Sequence, residues 1–291
     1  MSSLLNTAGM SANGSAPGYE FRRWVRAAAS AAREPLDGLE RARERVAAIG
    51  RSPWPATALQ PDAAGDKQLH ALLGIDWPCD TATTFDWLWE SITTSLERQG
   101  LRFGRQAYCG WDDADPGFAR TAWCLTRHGA ARTVVETGVA RGLTSRVILE
   151  ALDANGSGRL CSIDLPPLMQ EPSSREETGA AVGEGLKRRW TLVRGSSRRR
   201  LPRLLEELGT IDLFVHDSRH SDRNVSFELT HAWAALAPGG FLLVDDVHRN
   251  GAFMPCVESF GGPPAIVSRS NDGVSLFGMI RKPDAAGAGA G

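Results

Sequence analysis

The chain lacks the features that mark a membrane-spanning protein, a disulfide-built protein or a nucleic-acid binder. No apolar run approaches the ~20 residues that a membrane-crossing helix needs. The opening residues have neither a basic start nor an apolar core, so no secretory signal is expected there. The 33 basic and 34 acidic residues leave a net charge of −1. No single-sign field therefore draws the chain to a phosphate backbone or a lipid surface. Cysteine is sparse: Cys79, Cys109, Cys124, Cys161 and Cys256 are scattered, with no Cys-x-x-Cys pair. An odd, dispersed set argues against a disulfide framework and a zinc knuckle, and implies reduced thiols in a cytoplasmic protein. Also missing is the Gly-x-Gly-x-x-Gly run of dinucleotide enzymes.

What is present divides the chain into parts. Its 291 residues suffice for one or two domains. Residues 1–18 are small and polar, which predicts disorder. Apolar residues at helical spacing predict a helical extension over 19–128. Pro35 separates its first two helices, and a Pro/Ala/Asp-rich linker covers 51–68. Trp77, Trp87, Trp89, Trp111 and Trp123 fall in the second part of this extension, where large aromatics imply packing. Asp115-Pro116 reads as a helix start after an acidic turn.

From residue 129 to 282 the pattern becomes strand–helix alternation, which predicts a mostly parallel sheet covered on both faces. Strands are expected at 133–136, 159–163, 190–194, 211–216 and 241–244. Helices are expected at 144–154, 176–188, 199–208 and 225–236. Asn155-Gly156 and Pro238-Gly239-Gly240 read as turns. Asn271-Asp-Gly273 between two apolar runs predicts a closing β-hairpin over 265–280. The low-complexity tail, 283–291, is expected to be disordered.

The densest chemical signal is Thr133-Val-Val-Glu-Thr-Gly-Val-Ala-Arg-Gly-Leu-Thr-Ser145. An apolar strand ends in Glu136, Gly138 and Gly142 shape a turn, and a helix follows. Such a turn lets a ligand approach the backbone, and the helix N-terminus and an acidic side chain then bind its polar parts. Asp164 ends the next strand, where a carboxylate can accept two hydrogen bonds from a ribose diol. Two further apolar strands end in Phe214-Val-His-Asp-Ser-Arg-His-Ser221 and Phe241-Leu-Leu-Val-Asp-Asp-Val247. Asp217, Asp245 and Asp246 should then meet at the carboxyl edge of the sheet. Clustered carboxylates repel unless neutralised, and a hard divalent cation such as Mg²⁺ does that. His220, three residues after Asp217, is a candidate general base. His216 reads as structural, His248 as a weaker alternative base, and Asn250 as a turn residue. The basic run Lys187–Arg203 reads as a solvated helix face.

These ordered features resemble the class I S-adenosylmethionine-dependent methyltransferases over about residues 131–282. The resemblance implies a Rossmann-like fold with a seven-stranded sheet and an antiparallel C-terminal hairpin. It implies that Glu136, Thr137, Gly138, Gly142, Thr144, Ser145, Asp164, Ser196, Ser197 and Asp217 bind the cofactor. The family often has a glycine where this chain has Ala140, and an acidic residue after the third strand where it has Arg194-Gly-Ser-Ser197. Asp-x-x-His followed by an acidic pair is similar to the metal-dependent macrolide sugar O-methyltransferases. Metal binding by Asp217, Asp245 and Asp246, and proton abstraction by His220, are what that likeness implies. The expected activity is Mg²⁺-assisted O-methylation of a small molecule, a sugar or secondary metabolite, with the N-terminal helices forming a lid or a homo-oligomer contact. An NAD(P)-dependent oxidoreductase, a non-catalytic S-adenosylmethionine-binding protein and a nucleic-acid methyltransferase are the alternatives. The missing glycine fingerprint, the retained Asp/His set and the near-zero net charge argue against them in turn.

Overall fold

The computed structural model describes residues 35–48, 59–108, 111–165 and 177–285. The expectations for residues 1–34, for residues 51–58 of the 51–68 linker and for the end of the tail lie outside the described residues. The helices are α1 (Pro35–Ala48), α2 (Gly65–Leu72), α3 (Ala82–Arg98), α4 (Pro116–His128), α5 (Leu143–Ala154), α6 (Ser197–Leu208), α7 (Asp222–Ala235) and α8 (Phe253–Ser259). The strands are β1 (Thr133–Thr137), β2 (Arg159–Asp164), β3 (Trp190–Arg194), β4 (Ile211–His216), β5 (Leu236–Val244), β6 (Ala265–Arg269) and β7 (Leu276–Arg281).

One seven-stranded sheet runs in the order β3-β2-β1-β4-β5-β7-β6. Strands β1 to β5 pair in parallel, and β7 joins β5 and β6 antiparallel. The expected Rossmann-like fold, with its closing hairpin, is what forms. The order reverses between β1 and β4, which opens a crevice at the carboxyl edge of the central strands. Consecutive residues of β1, Val134 and Val135, are both fully buried, as a strand covered on both faces requires.

Each face has its own core. One unites Leu69, Phe85, Leu96, Trp123 and Leu125 of the N-terminal helices with Val147 and Leu149 of α5 and Leu213 of β4. The other joins Leu201 of α6, Val225 and Leu229 of α7 and Phe253 of α8 to Phe214 and Leu242. Helices α4 and α5 pack together, so the chain preceding β1 belongs to the wall of the sheet. The Asp115 carboxylate accepts from the Gly117 and Phe118 N–H groups at 2.9 and 3.3 Å, and Pro116 occupies the first turn of α4. That is the N-cap the sequence announces.

Four local readings change. The helix expected over 176–188 is replaced by turns and a short 3₁₀ helix, Glu184–Arg189. Gly179, Gly183 and Gly185 fall in that stretch and Gly179 adopts φ +76°, which an α-helix cannot use. Pro238-Gly239-Gly240 ends no strand. Leu236 pairs with Ile211 and Phe241 with Leu213, so the residues between them bulge opposite Asp212 within β5. Among the tryptophans, Trp123 is buried, whereas Trp87 and Trp111 are exposed, so packing does not explain those two. The basic run is not simply solvated. Arg198 and Arg199 pair with Glu40 and Asp37 of α1 at 3.0 and 2.9 Å, and Arg188 and Arg189 pair with Asp153.

Candidate active site

Three chain segments leave the carboxyl edge side by side, and backbone hydrogen bonds join them beyond the strands. The Gly138 N–H donates to Ile163 O at 2.9 Å, Asp217 N–H to Thr137 O at 2.8 Å, and Asp245 N–H to His216 O at 2.9 Å. Gly138 adopts φ +85°, and a Cβ there would lie 1.9 Å from the Asp217 carbonyl oxygen. The glycine is therefore required by the adjoining β4 exit, in addition to any ligand. Gly142 caps α5 at φ +79° with no side chain over the helix end. Ala140 adopts φ +47°, so it holds a left-handed turn that glycine would adopt without strain.

Charged side chains brace this turn. Arg141 is buried and pairs with Asp113 and Glu177, both at 2.8 Å, while its guanidinium lies 5.2 Å from the Tyr108 ring centre. Burial pushes the Asp113 carboxyl up, against the lowering effect of Arg141. The Asp164 carboxylate accepts the Val139 N–H at 3.0 Å, which sets it beside the turn at the end of β2.

Glu136 points into the protein. Its Oε2 accepts from the Ser145 and Ser162 hydroxyls at 2.6 and 2.7 Å. Burial raises its pKa to about 7, against the two hydroxyls that lower it. The Thr137 hydroxyl donates to Glu228 Oε2 at 2.5 Å. Glu228 also meets His216 Nδ1 at 2.6 Å, the Ser218 hydroxyl at 2.7 Å and the Asn224 amide at 2.8 Å. Burial would raise Glu228, but His216, Ser197 and Thr137 outweigh it and hold the pKa at about 2. Glu228 and Asn224, on α7, thus organise the β4 exit from below. Nothing in the sequence singled them out beyond polar residues on a helix face that should be apolar.

Asp217, His220 and Asp245 converge, with one ligating atom of each within 4.8 Å of the others. The Asp217 and Asp245 carboxyls adjoin one another, and both are raised well above the ordinary range by loss of solvent and by their acidic neighbours. Asp246 flanks the group on the side of His220: its carboxylate lies 3.5 Å from His220 Nε2, nearer than that of Asp217 at 3.9 Å, and 3.3 Å from Arg249. It adopts φ +52°, an uncommon conformation for aspartate that fits a constrained site. His220 is pushed down to about 3, chiefly by burial and then by His216 and Arg249, and its Nδ1 is buried with no hydrogen-bond partner. His248 accepts the Leu276 N–H at 3.1 Å, and Asn250 accepts from Ala252 and Phe253 at the start of α8. Thr144 lies in the first turn of α5, beside Ser145.

Ser196 and Ser197 stand at the start of α6, beyond β3. The Ser196 N–H and hydroxyl both donate to Asp37, at 3.3 and 3.0 Å. Asp37, with Arg199 also donating to it, thereby ties α1 to the segment after β3. Burial acts to raise Asp37, and Arg199 with Ser196 brings it below the usual range. Ser197 approaches Asn224 at 3.5 Å.

Residues 135–247, from the glycine turn to the acidic pair, match the family model described as a methyltransferase domain. Over these residues the chain carries a methyltransferase domain. Among solved structures, it is similar to cofactor-bound Rv0187 from MTB, at TM-score 0.50 and 19% identity over 68% of this chain and 90% of that one. It is also similar to TomG from Streptomyces achromogenes, an O-methyltransferase of tomaymycin synthesis in complex with SAM, at TM-score 0.49 and 17% identity over 67% and 89%. A third is the O-methyltransferase from Bacillus cereus in complex with SAH, at TM-score 0.49 and 16% identity over 75% and 96%. The likeness to Rv0187 is one of fold. No curated protein matches the chain. No described helix is long and apolar enough to cross a membrane.

Proposed function

We propose that this methyltransferase transfers a methyl group to an oxygen atom of a small molecule, a sugar or a secondary metabolite, with help from a divalent cation. The observation that carries the proposal is the meeting of Asp217, Asp245 and His220 beside the Gly138 turn. Two adjoining carboxyls, each raised by burial and by acidic neighbours, are a donor set that a hard cation would neutralise. Asp217 and Asp245 would hold Mg²⁺, with Asp246 supporting them from the side of His220. When bound, the metal fixes a substrate oxygen and makes its hydroxyl more acidic.

In the same reading the glycine turn, the α5 N-terminus and Asp164 hold S-adenosylmethionine, which when bound supplies a methyl group on a sulfonium. Gly138 and Gly142 keep the turn free of side chains. Asp164, placed by Val139 N–H, accepts the ribose hydroxyls. Glu136 supports the turn from within, since its Oε2 is already engaged by two serines. His220, which burial disposes to the neutral form, would offer a ring nitrogen to the proton of the attacking hydroxyl; as burial also weakens it as a base, the transfer relies on a hydroxyl already acidified. The remaining work is alignment of the nucleophile with the methyl carbon. Residues 129–282 would form the catalytic domain, residues 19–128 would shape the acceptor pocket, and the free thiols suit the cytoplasm.

The experiment is a calorimetric titration with S-adenosylhomocysteine, in Mg²⁺ and in chelator, followed by turnover assays on a panel of hydroxylated acceptors. Micromolar binding is expected in both buffers, with turnover only in Mg²⁺. Absence of binding would refute the cofactor assignment, and full turnover in chelator would refute the metal.

A further inference from the structure

A second cluster lies in the helical part, away from the Asp217–Asp245 group. His70 sits in the last turn of α2, Cys79 in the loop before α3, and Cys124 in the middle of α4. One ligating atom from each lies within 4.8 Å of the others. Cys79 also belongs to an overlapping set with Asp80 and His128 at the same limit. His70 is 1% exposed, and its Nε2 is buried with no hydrogen-bond partner. Its Nδ1 contacts the Asp66 carbonyl at 2.6 Å. That contact makes Nδ1 the protonated nitrogen and leaves a lone pair on Nε2. A backbone carbonyl holding the far nitrogen is how a ligating histidine is oriented.

We propose that His70, Cys79 and Cys124 bind a thiophilic divalent cation, with Zn²⁺ as the best match. Tetrahedral zinc with Zn–S of about 2.3 Å and Zn–N of about 2.0 Å holds its ligand atoms roughly 3.3–3.8 Å apart. The observed cluster needs at most a small contraction to reach that geometry. The charge also balances. Each thiol releases its proton to solvent on binding, and two thiolates, a neutral imidazole and Zn²⁺ give an uncharged complex that can remain buried. The soft donors disfavour Mg²⁺, which suits the oxygen set at Asp217 and Asp245. The fourth position falls to His128, whose ring centre is 6.4 Å from that of His70. His128 contacts the Thr81 hydroxyl at 3.2 Å and would exchange that contact for the metal. The site would fasten the loop before α3 to α4, the helix leading into β1.

The test uses the full chain, reduced and stripped of metal, with Co²⁺ as the probe. One equivalent should give thiolate-to-cobalt charge-transfer absorption with intense tetrahedral d–d bands, and Zn²⁺ should displace it. About two protons should be released per metal. The Asp217→Asn/Asp245→Asn double variant should keep the spectrum, since oxygen ligands give no thiolate band. Cys79→Ser, at a half-buried position, should lose at least half of the charge-transfer intensity, and His70→Gln should weaken binding at least tenfold. Near-UV circular dichroism checks that each variant is folded, and Cys79→Ser carries the test if Cys124→Ser does not fold. A wild-type protein without the thiolate band would overturn the proposal. So would an unchanged spectrum in Cys79→Ser, or a Cys79–Cys124 disulfide that persists in reductant.

Discussion

Substitution of Gly138 by alanine tests whether the glycine turn is set by the β4 exit. The added Cβ would lie 1.9 Å from Asp217 O, 2.4 Å from Asp217 C and 2.9 Å from Ser218 N, where real contacts do not fall below 3.0 Å. All three partners are backbone atoms, so no side-chain rotation relieves the clash, and the two loops must part by about 1 Å. The left-handed backbone costs an L-residue about 1–2 kcal/mol, and overpacking of this kind about 1–3 kcal/mol. The expected loss is therefore ~2–5 kcal/mol of unfolding free energy. Gly142→Ala meets Gly179 Cα at 3.0 Å, Val182 Cγ2 at 3.4 Å and Gly179 C at 3.6 Å, and should cost ~1–2 kcal/mol, mostly from its φ of +79°. Ala140→Gly relieves strain at φ +47° but enlarges the unfolded ensemble, so it should change stability by less than ~1 kcal/mol.

The assay is urea unfolding of the three variants, paired with S-adenosylhomocysteine titration. The expected order of destabilisation is Gly138→Ala, then Gly142→Ala, then Ala140→Gly. Because the clash displaces the Asp217 backbone, Gly138→Ala should also disturb the carboxylate cluster and lose turnover even under conditions where it remains folded. A Gly138→Ala protein as stable as wild type, or a larger cost at Gly142, would refute the close approach of the two loops.

Four further outcomes are expected. Glu136, with its ordinary 4.5 raised to about 7, favours folding below pH 4.5 and loses that contribution as pH rises through 7, so Glu136→Gln should flatten the fall in stability across that window by up to ~3 kcal/mol. Glu228, lowered from 4.5 to about 2, contributes above pH 4.5 and loses its contribution as pH falls towards 2, so Glu228→Gln should flatten only the acid limb; urea midpoints against pH check both, and unchanged slopes would contradict the burial of these carboxyls. Asp217→Asn should raise Tm in chelator by removing like-charge repulsion while lowering turnover ~10²–10³-fold, and full activity with a lowered Tm would contradict the cluster. Asp37→Ala removes the acceptor for Ser196 and Arg199, which should cost ~1–3 kcal/mol and speed proteolysis within residues 35–48; an unchanged cleavage rate would mean that Asp37 does not hold α1 in place.

The sheet was legible because its signals are local. Runs such as Ile211–His216 are short, apolar and punctuated, and Asp115-Pro116 carries a helix start within two residues. The lapses also have local causes. Pro238-Gly239-Gly240 is a genuine chain reversal signal, but its neighbours Leu236 and Phe241 both pair with β4, so the reversal becomes a bulge. Over 176–188 the charged residues look helical, yet three glycines remove the propensity that a charge pattern cannot restore. In the candidate site, strand ends placed Asp217 and Asp245 correctly at one edge. Asp246 adopts a left-handed backbone at φ +52° and meets His220 and Arg249, and no spacing rule carries that. Glu228 escaped notice because its partners, Thr137, His216 and Ser218, are some ninety, twelve and ten residues away.

The cysteines show where inference from spacing stops. A knuckle needs two ligands on one tight turn, so absence of Cys-x-x-Cys does exclude a knuckle. It does not exclude ligands supplied one at a time by separate elements. Residues 70, 79 and 124 lie on a helix end, a loop and a helix interior, and only the packing of α2 and α4 against a common core brings them within 4.8 Å. Packing of that kind is driven by Leu69, Phe85 and Trp123, which carry no trace of a metal. Of the three ligands, His70 is the one whose chemistry disagrees with its surroundings: a core position next to Leu69 calls for an apolar side chain, and an imidazole there leaves a lone pair unsatisfied. The same disagreement marks Glu228 on α7, where the polar partners are present and resolve it. At His70 no donor within the described residues does so, and a cation held jointly with the two thiols would.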